Sequence, residues 1–182
     1  MAPIYEITGK TMAILPGTTS KSASKVLESN NEHMLTFKEK PFEIIEQNCI
    51  KNLSSYAGRR ASVLHYTSYT QKTPVPVSVA RGIIVFPTQG LSNKKCVWIF
   101  YQHVSKIIKK SDGSDIIFKD GTTLFLKISK KQLTNQLSRC KRLNGIIENI
   151  EENGVPPSED PSEALGRILS TLIQKEPVEP QK

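Results

Sequence analysis

The residues of this chain that could do chemistry are basic, and two short stretches that contain them stand out. The stretch SSYAGRRASVLHY (54–66) carries the adjacent pair Arg59 and Arg60 beside Gly58. The stretch SKKQLTNQLSRCKR (129–142) carries five Lys and Arg and no Asp or Glu. Guanidinium groups form paired hydrogen bonds with phosphate, and an arginine side chain can enter a narrow, strongly negative groove. These residues therefore indicate polyanion binding.

The sequence lacks the patterns of catalytic and metal sites. His33, His65 and His103 have no Cys or carboxylate at the spacing of a metal or catalytic site. The three cysteines lie more than forty residues apart, which argues against a metal knuckle and against a disulfide framework. There is no phosphate-binding loop, dinucleotide fingerprint or nucleophile elbow. We therefore predict that the protein is not an enzyme and uses no cofactor or metal.

Charge is distributed unevenly along the 182 residues. Residues 1–147 hold 22 Lys and Arg against 9 Asp and Glu, whereas residues 148–182 hold 3 against 8. A basic body with an acidic tail favours a polyanionic partner, nucleic acid first and an acidic membrane second, although the charge could also serve solubility alone. No signal peptide or membrane span is recognisable, so we expect a cytoplasmic protein that does not enter a membrane.

An amphipathic helix is predicted from Ser129 onwards. Ser129 is placed to cap the helix, and Gln132 follows at capping-box spacing. One face is apolar and suited to a core: Leu133, Leu137, Cys140, Leu143 and Ile147. The opposite face is basic without counter-charge, which is unusual for a helix that is merely solvated, although that interpretation stays open. The predicted nucleic-acid contacts are Arg59, Arg60, Lys130, Lys131, Asn135, Arg139, Lys141 and Arg142.

The rest of the body is predicted to be mostly β-hairpins. Asp120-Gly121 between two β-prone arms is the strongest hairpin signal, and further hairpins are predicted over 4–15 and 24–38. Residues 41–53 indicate a helix, whereas 54–66 are predicted to be a loop. The fold class is therefore α+β, with antiparallel hairpins forming a sheet or partly open barrel, a basic amphipathic helix packed on it, and a C-terminal amphipathic helix.

We predict three regions along the chain: a basic α+β body (1–147), an acidic, Pro-containing tether (148–160), and an amphipathic helix with a frayed tail (161–182). The last region has an apolar stripe suited to partner or oligomer contact: Leu165, Ile168, Leu169, Leu172 and Ile173. Such a helix could pack on the body, on a second copy or on another protein.

Four segments together resemble the ComK family, the competence transcription factors of low-GC Gram-positive bacteria. They are SSYAGRR, IIVFPT, the pattern W-I-x-x-x-H-V that starts at Trp98, and FKDGTTLFLKIS with the helix after it. The resemblance covers about residues 4–145. It implies an activator of DNA-uptake genes that binds paired A-tract and T-tract boxes from the minor groove as a multimer and bends the DNA. RNA polymerase is a further candidate partner. The acidic C-terminus departs from the aromatic, basic segment that an adaptor grips in the better-known member.

Three hypotheses follow. The first is a sequence-selective activator that binds AT-rich double-stranded DNA as a homo-oligomer. The second is a protein-interaction module that uses its C-terminal helix and binds nucleic acid non-specifically. The third is a single-stranded nucleic-acid binder, which would need exposed aromatic side chains on which bases can stack.

Overall fold

Two antiparallel sheets and three α-helices make up the part of the chain that this computed structural model describes, residues 4–19 and 22–154. The helices are α1 (Pro41–Lys51), α2 (Tyr56–Tyr66) and α3 (Lys130–Asn153). The larger sheet has the order β3-β2-β1-β6-β5-β4, and the smaller one β7-β8-β9. The strands are β1 (Thr11–Thr19), β2 (Ser22–Glu28), β3 (Leu35–Phe37), β4 (Val75–Ser78), β5 (Ile83–Pro87), β6 (Trp98–Phe100), β7 (Val104–Lys110), β8 (Gly113–Phe118) and β9 (Thr123–Leu126). The predicted α+β class is confirmed, and both sheets are open.

The larger sheet is buried on both faces. On one face Trp98 and Val85 pack with Ile44 and Cys49 of α1, and Phe42 stacks against Trp98 with ring centroids 6.3 Å apart. On the other face Phe86 and its neighbours contact the inner face of the smaller sheet and the apolar face of α3. Because both sides are covered, β4, β5 and β6 read as continuous apolar runs and not as alternating ones.

The β-prone run 96–110 is not one strand. Strand β6 belongs to the larger sheet and β7 to the smaller sheet, and a 3₁₀ turn at Tyr101–His103 separates them. This turn lets one continuous segment serve both sheets, so the smaller sheet is folded back over the larger one. The resulting space between the sheets is filled by Ile107, Ile116 and Phe118.

The hairpin around Asp120-Gly121 is confirmed as β8–β9. Gly121 has φ +89°, a left-handed conformation that glycine adopts without strain. Asp120 accepts hydrogen bonds from the backbone N–H of Thr122 (2.9 Å) and from that of Asn30 (3.2 Å). The second bond joins this turn to the residues that follow β2, so the Asp120 side chain links the smaller sheet to the larger one.

Two predictions about local structure were wrong. The loop predicted at 54–66 is mostly a helix: α2 occupies Tyr56–Tyr66, and Ser55 caps it by accepting a hydrogen bond from Gly58 N–H (3.0 Å). Residues 4–8 form no strand, so 4–15 is not a hairpin; β1 pairs with β2 instead. The segment 4–8 is fixed by buried Asn48, which accepts from Ile7 N–H (2.9 Å) and donates to Tyr5 C=O (2.8 Å).

Helix α3 runs through the boundary predicted at 147 and ends at Asn153. The chain divides into two compact units after Glu148, and the sheets and the site described here belong to the first. The C-terminal helix and its five apolar residues lie outside the described residues, so that helix stays a prediction.

The three thiols are expected to be unreactive in the native protein. Cys49, Cys96 and Cys140 are buried and free. Burial raises the pKa of the Cys49 thiol to about 11 and raises that of Cys140 further above its ordinary value. Because the thiolate is the reactive form, a chromogenic disulfide reagent at pH 8 should titrate no thiol rapidly in the folded protein and all three in denaturant. Rapid reaction of a thiol without denaturant would contradict the packing described above.

Candidate nucleic-acid interface

Helix α3 begins as the sequence predicts. The Ser129 hydroxyl accepts a hydrogen bond from Gln132 N–H (3.3 Å) and donates to the Gln132 side-chain oxygen (3.2 Å). Leu133, Cys140 and Leu143 are buried, and Leu137 and Ile147 pack against the same cluster. The apolar face is therefore confirmed, and it fixes which residues of α3 face solvent.

The solvent face of α3 is basic. Five of the predicted contacts are exposed on it, and Arg139 is half-buried at its edge; the exposed residues are Lys130, Lys131, Asn135, Lys141 and Arg142. Lys130 and Lys131 occupy the first turn, which has no acidic residue. The N-terminus of a helix carries a partial positive charge, so lysines there are unfavourable for stability. An anionic ligand bound there would offset this unfavourable charge.

The arginines of α2 and α3 meet at the segment 67–73, which we call the Tyr69 loop. Arg60 of α2 donates from Nη2 to the Thr70 carbonyl (2.8 Å). Arg139 of α3 donates from Nη1 to the Gln71 carbonyl (3.0 Å), and its guanidinium lies 4.9 Å from the Tyr69 ring centroid. Two guanidinium groups that are far apart in sequence are thus held on consecutive carbonyls of one loop.

Lys72 connects these two sides of the Tyr69 loop. It lines a groove of about 410 Å³ together with Arg60. It also lines a smaller groove beside α3, of about 130 Å³, together with Asn135 and Arg139. The structure therefore brings Arg60, Asn135 and Arg139 close to one another. Lys72 was not predicted, because a lysine in a Pro-spaced segment carries no local signal of its position.

Arg59 is placed differently from its neighbour. Its Nη2 donates to the Asn52 carbonyl (2.6 Å), at the C-terminus of α1, and its Nε is enclosed without a hydrogen-bond partner among the described residues. A cation at this position stabilises the negative end of a helix. Arg59 thus holds α1 and α2 together.

This difference predicts that two adjacent substitutions affect different properties, one the stability and the other the DNA affinity. Arg59→Met keeps the aliphatic stem but removes the cap on Asn52, so we expect a loss of about 1–2 kcal/mol in the free energy of unfolding. We expect its DNA affinity to stay within about twofold of wild type, whereas Arg60→Met should weaken binding by about tenfold. Chemical denaturation and fluorescence anisotropy measure the two quantities. Equal losses of affinity in both variants would show that Arg59 is also a contact residue.

Near the start of α3 there is a lysine cleft that the sequence analysis missed. It is an open cleft of about 500 Å³ between the β7–β8 turn and the first turn of α3. Five lysines line it against one aspartate: Lys109, Lys110, Lys127, Lys130 and Lys131, with Asp112. Lys127 pairs with Asp112 at 3.0 Å. The run KIIKK (106–110) shows in the sequence that several lysines lie together. The position of these lysines next to α3 depends on how the smaller sheet folds back.

Within 4–19 and 22–154 no group of three or more His, Cys, Asp or Glu side chains is placed to hold a metal ion. His103 is half-buried, and burial lowers the pKa of its imidazole. None of the helices in this part of the chain is long and apolar enough to cross a membrane. The basic surface formed by α3, the Tyr69 loop and the lysine cleft is the main candidate site.

Comparison with known proteins agrees with this picture. The chain is 29% identical over 178 residues to the Competence transcription factor of Bacillus subtilis (strain 168), and the match covers 94% of this chain and 92% of that protein. No solved structure matches the chain significantly. The family model described as ComK protein matches residues 2–151. Because this match spans most of the 182 residues and both sheets, the chain belongs to the ComK family.

Proposed function

We propose that this protein is a competence transcription factor that binds double-stranded DNA and activates DNA-uptake genes in the cytoplasm. The observation that carries the proposal is the basic surface of α3, where the segment 129–142 has five Lys and Arg and no carboxylate. The name of the Bacillus subtilis relative and the family membership support the same function.

The proposed contacts follow from the geometry. Four side chains on the exposed face of α3 contact phosphates: Lys130, Lys131, Lys141 and Arg142. The side-chain amide of Asn135 donates or accepts a hydrogen bond with the DNA. The guanidinium groups of Arg60 and Arg139 lie at the Tyr69 loop. In this proposal they are the groups that enter a groove of the DNA. AT-rich tracts have a narrow, strongly negative minor groove that attracts arginine, so we propose AT-rich boxes read from that groove.

The protein is proposed to act as a homo-oligomer on paired boxes and to act with RNA polymerase. A symmetric oligomer places two equal DNA-binding surfaces at a fixed spacing, which suits two boxes on one side of a duplex. Sedimentation of the full chain with a two-box duplex tests this: at least two protein chains per duplex are expected. A single bound chain would contradict it.

The groove is tested by competition. A duplex with A- and T-tracts is bound at moderate salt, and a minor-groove ligand is then titrated against the protein while anisotropy is followed. Displacement at ligand concentrations that saturate the tracts is expected. If the protein stays bound, the minor groove is not the recognition surface.

The C-terminal residues separate this proposal from the interaction-module hypothesis. Deletion of residues 161–175 removes the predicted apolar stripe and leaves every described basic residue in place. DNA affinity should survive the deletion if that segment serves only protein partners. It should fall steeply if the segment joins the copies of an oligomer.

A further inference from the structure

Among the described residues, 4–19 and 22–154, the outer face of the smaller sheet is exposed and partly apolar. Side chains alternate along a strand, so residues next to the buried Ile107, Ile116 and Leu124 point outwards. The outer face consists of Lys106, Ile108, Lys110, Asp115, Ile117, Thr123 and Phe125. Phe125 and Ile108 remain 46% and 39% exposed, which is high for large apolar residues in the centre of a sheet face.

The register places these apolar side chains together. Asp115 of β8 pairs with Ile108 on one side and with Phe125 on the other, and Ile117 follows in the next outward row. The Asp115 carboxylate forms an ion pair with Lys110 at 3.1 Å, so its charge is compensated within the face. The centre of the face, which we call the apolar patch, therefore consists of Ile108 and Phe125 on either side of the ion-paired and largely shielded Asp115.

Lysines surround this patch. Lys106 and Lys110 lie two positions before and after Ile108 on β7, and Lys127 lies two positions after Phe125. Lys110 and Lys127 also line the lysine cleft that leads to Lys130 and Lys131 of α3. The patch is thus continuous with the basic surface already described.

We propose that this outer face is a second DNA-contacting surface, which packs Phe125 and Ile108 against the duplex while the surrounding lysines contact phosphates. This inference rests on the proposed DNA-binding function. It adds an apolar contribution to the binding free energy beside the electrostatic contribution of the lysines. A groove of duplex DNA presents base edges and sugars between two rows of phosphates, which matches an apolar centre with a lysine rim.

A second copy of the chain fits the same face poorly. In a symmetric dimer the same face of each copy would meet, so the lysines around one patch would oppose those around the other. Like charges brought together across an interface are destabilising. Charge complementarity therefore favours DNA over self-association as the occupant.

The test is the double variant Ile108→Ser with Phe125→Ser, measured by anisotropy on a tract-containing duplex at several salt concentrations. Both side chains are exposed, so the thermal unfolding midpoint should change little. We expect affinity to fall about tenfold at every salt concentration, because the lost apolar contact is not screened. The slope of log affinity against log salt should be unchanged, since no phosphate contact is removed.

Ile50→Ser is the matched control: Ile50 is 50% exposed on α1, which covers the opposite face of the larger sheet.

Three results would overturn the inference. If wild type binds DNA and the double variant binds equally well, the outer face is not a DNA contact and the proposed function still stands. If sedimentation without DNA shows self-association of wild type and of the Ile50→Ser control but not of the double variant, the face joins copies of the chain. If wild type binds no duplex at all, the proposed function itself fails, and this inference fails with it.

Discussion

Replacing both Lys130 and Lys131 with alanine is expected to weaken binding to duplex DNA by about tenfold or more while making the protein more stable. Both lysines are exposed in the first turn of α3, and both line the lysine cleft. Each phosphate contact contributes about 0.9 to the slope of log affinity against log salt, so the slope should fall by about 2. Removing cations from the positive end of a helix should stabilise the fold by about 0.3–1 kcal/mol per residue.

The opposite signs make this prediction decisive, because damage to the fold would lower affinity and stability together. Lys94→Ala with Lys95→Ala is the matched control, since these lysines are also adjacent and exposed but lie outside the proposed interface. Affinity comes from anisotropy, and stability comes from the midpoint of thermal unfolding. If the slope of log affinity against log salt were unchanged in the Lys130 and Lys131 variant, the first turn of α3 would not be part of the interface.

Gln136→Leu is expected to destabilise the protein by about 2–4 kcal/mol. Gln136 is a polar residue on the buried side of α3, and its Nε2 donates to the carbonyls of Lys72 (2.8 Å) and Pro87 (3.1 Å). Leucine is close in volume but donates no hydrogen bond, so both carbonyls would lose their donor. A buried polar group left without a partner costs about 1–3 kcal/mol.

This substitution should also affect DNA binding, because Gln136 fixes the Tyr69 loop against α3. Urea denaturation measures the loss of stability, and anisotropy at a temperature where the variant is still folded measures the affinity. Thr134→Ala, on the exposed side of the same helix, should change the free energy of unfolding by less than about 0.5 kcal/mol. If Gln136→Leu were as neutral as this control, the hydrogen bonds from α3 to Lys72 and Pro87 would be of little importance.

Features determined by neighbouring residues were predictable from the sequence. The β8–β9 hairpin follows from the Asp120-Gly121 turn, and the start of α3 follows from the Ser129 cap. The apolar face of α3 follows from helical periodicity, with one exception. Gln136 is buried among apolar residues because its partners are backbone carbonyls 49 and 64 positions away, and no local pattern shows them.

Features determined by distant contacts were not predictable. Helix α2 is an exception, because its signal is local: Gly58 suggests a flexible loop, yet the Ser55 side chain three residues earlier caps the helix. Adjacent arginines look equivalent in the sequence, yet Arg59 caps α1 whereas Arg60 reaches the Tyr69 loop. The lysine cleft exists only because the 3₁₀ turn after β6 folds the smaller sheet back towards α3.

Recognition of a DNA groove by the basic surface can be tested by comparing two duplexes. Wild-type protein is titrated against two duplexes of equal length, one with spaced A- and T-tracts and one GC-rich, at several salt concentrations. We expect a preference for the tract duplex that persists as rising salt weakens binding to both duplexes. Equal affinity for the two duplexes at every salt concentration would contradict groove recognition and reduce the surface to a phosphate clamp.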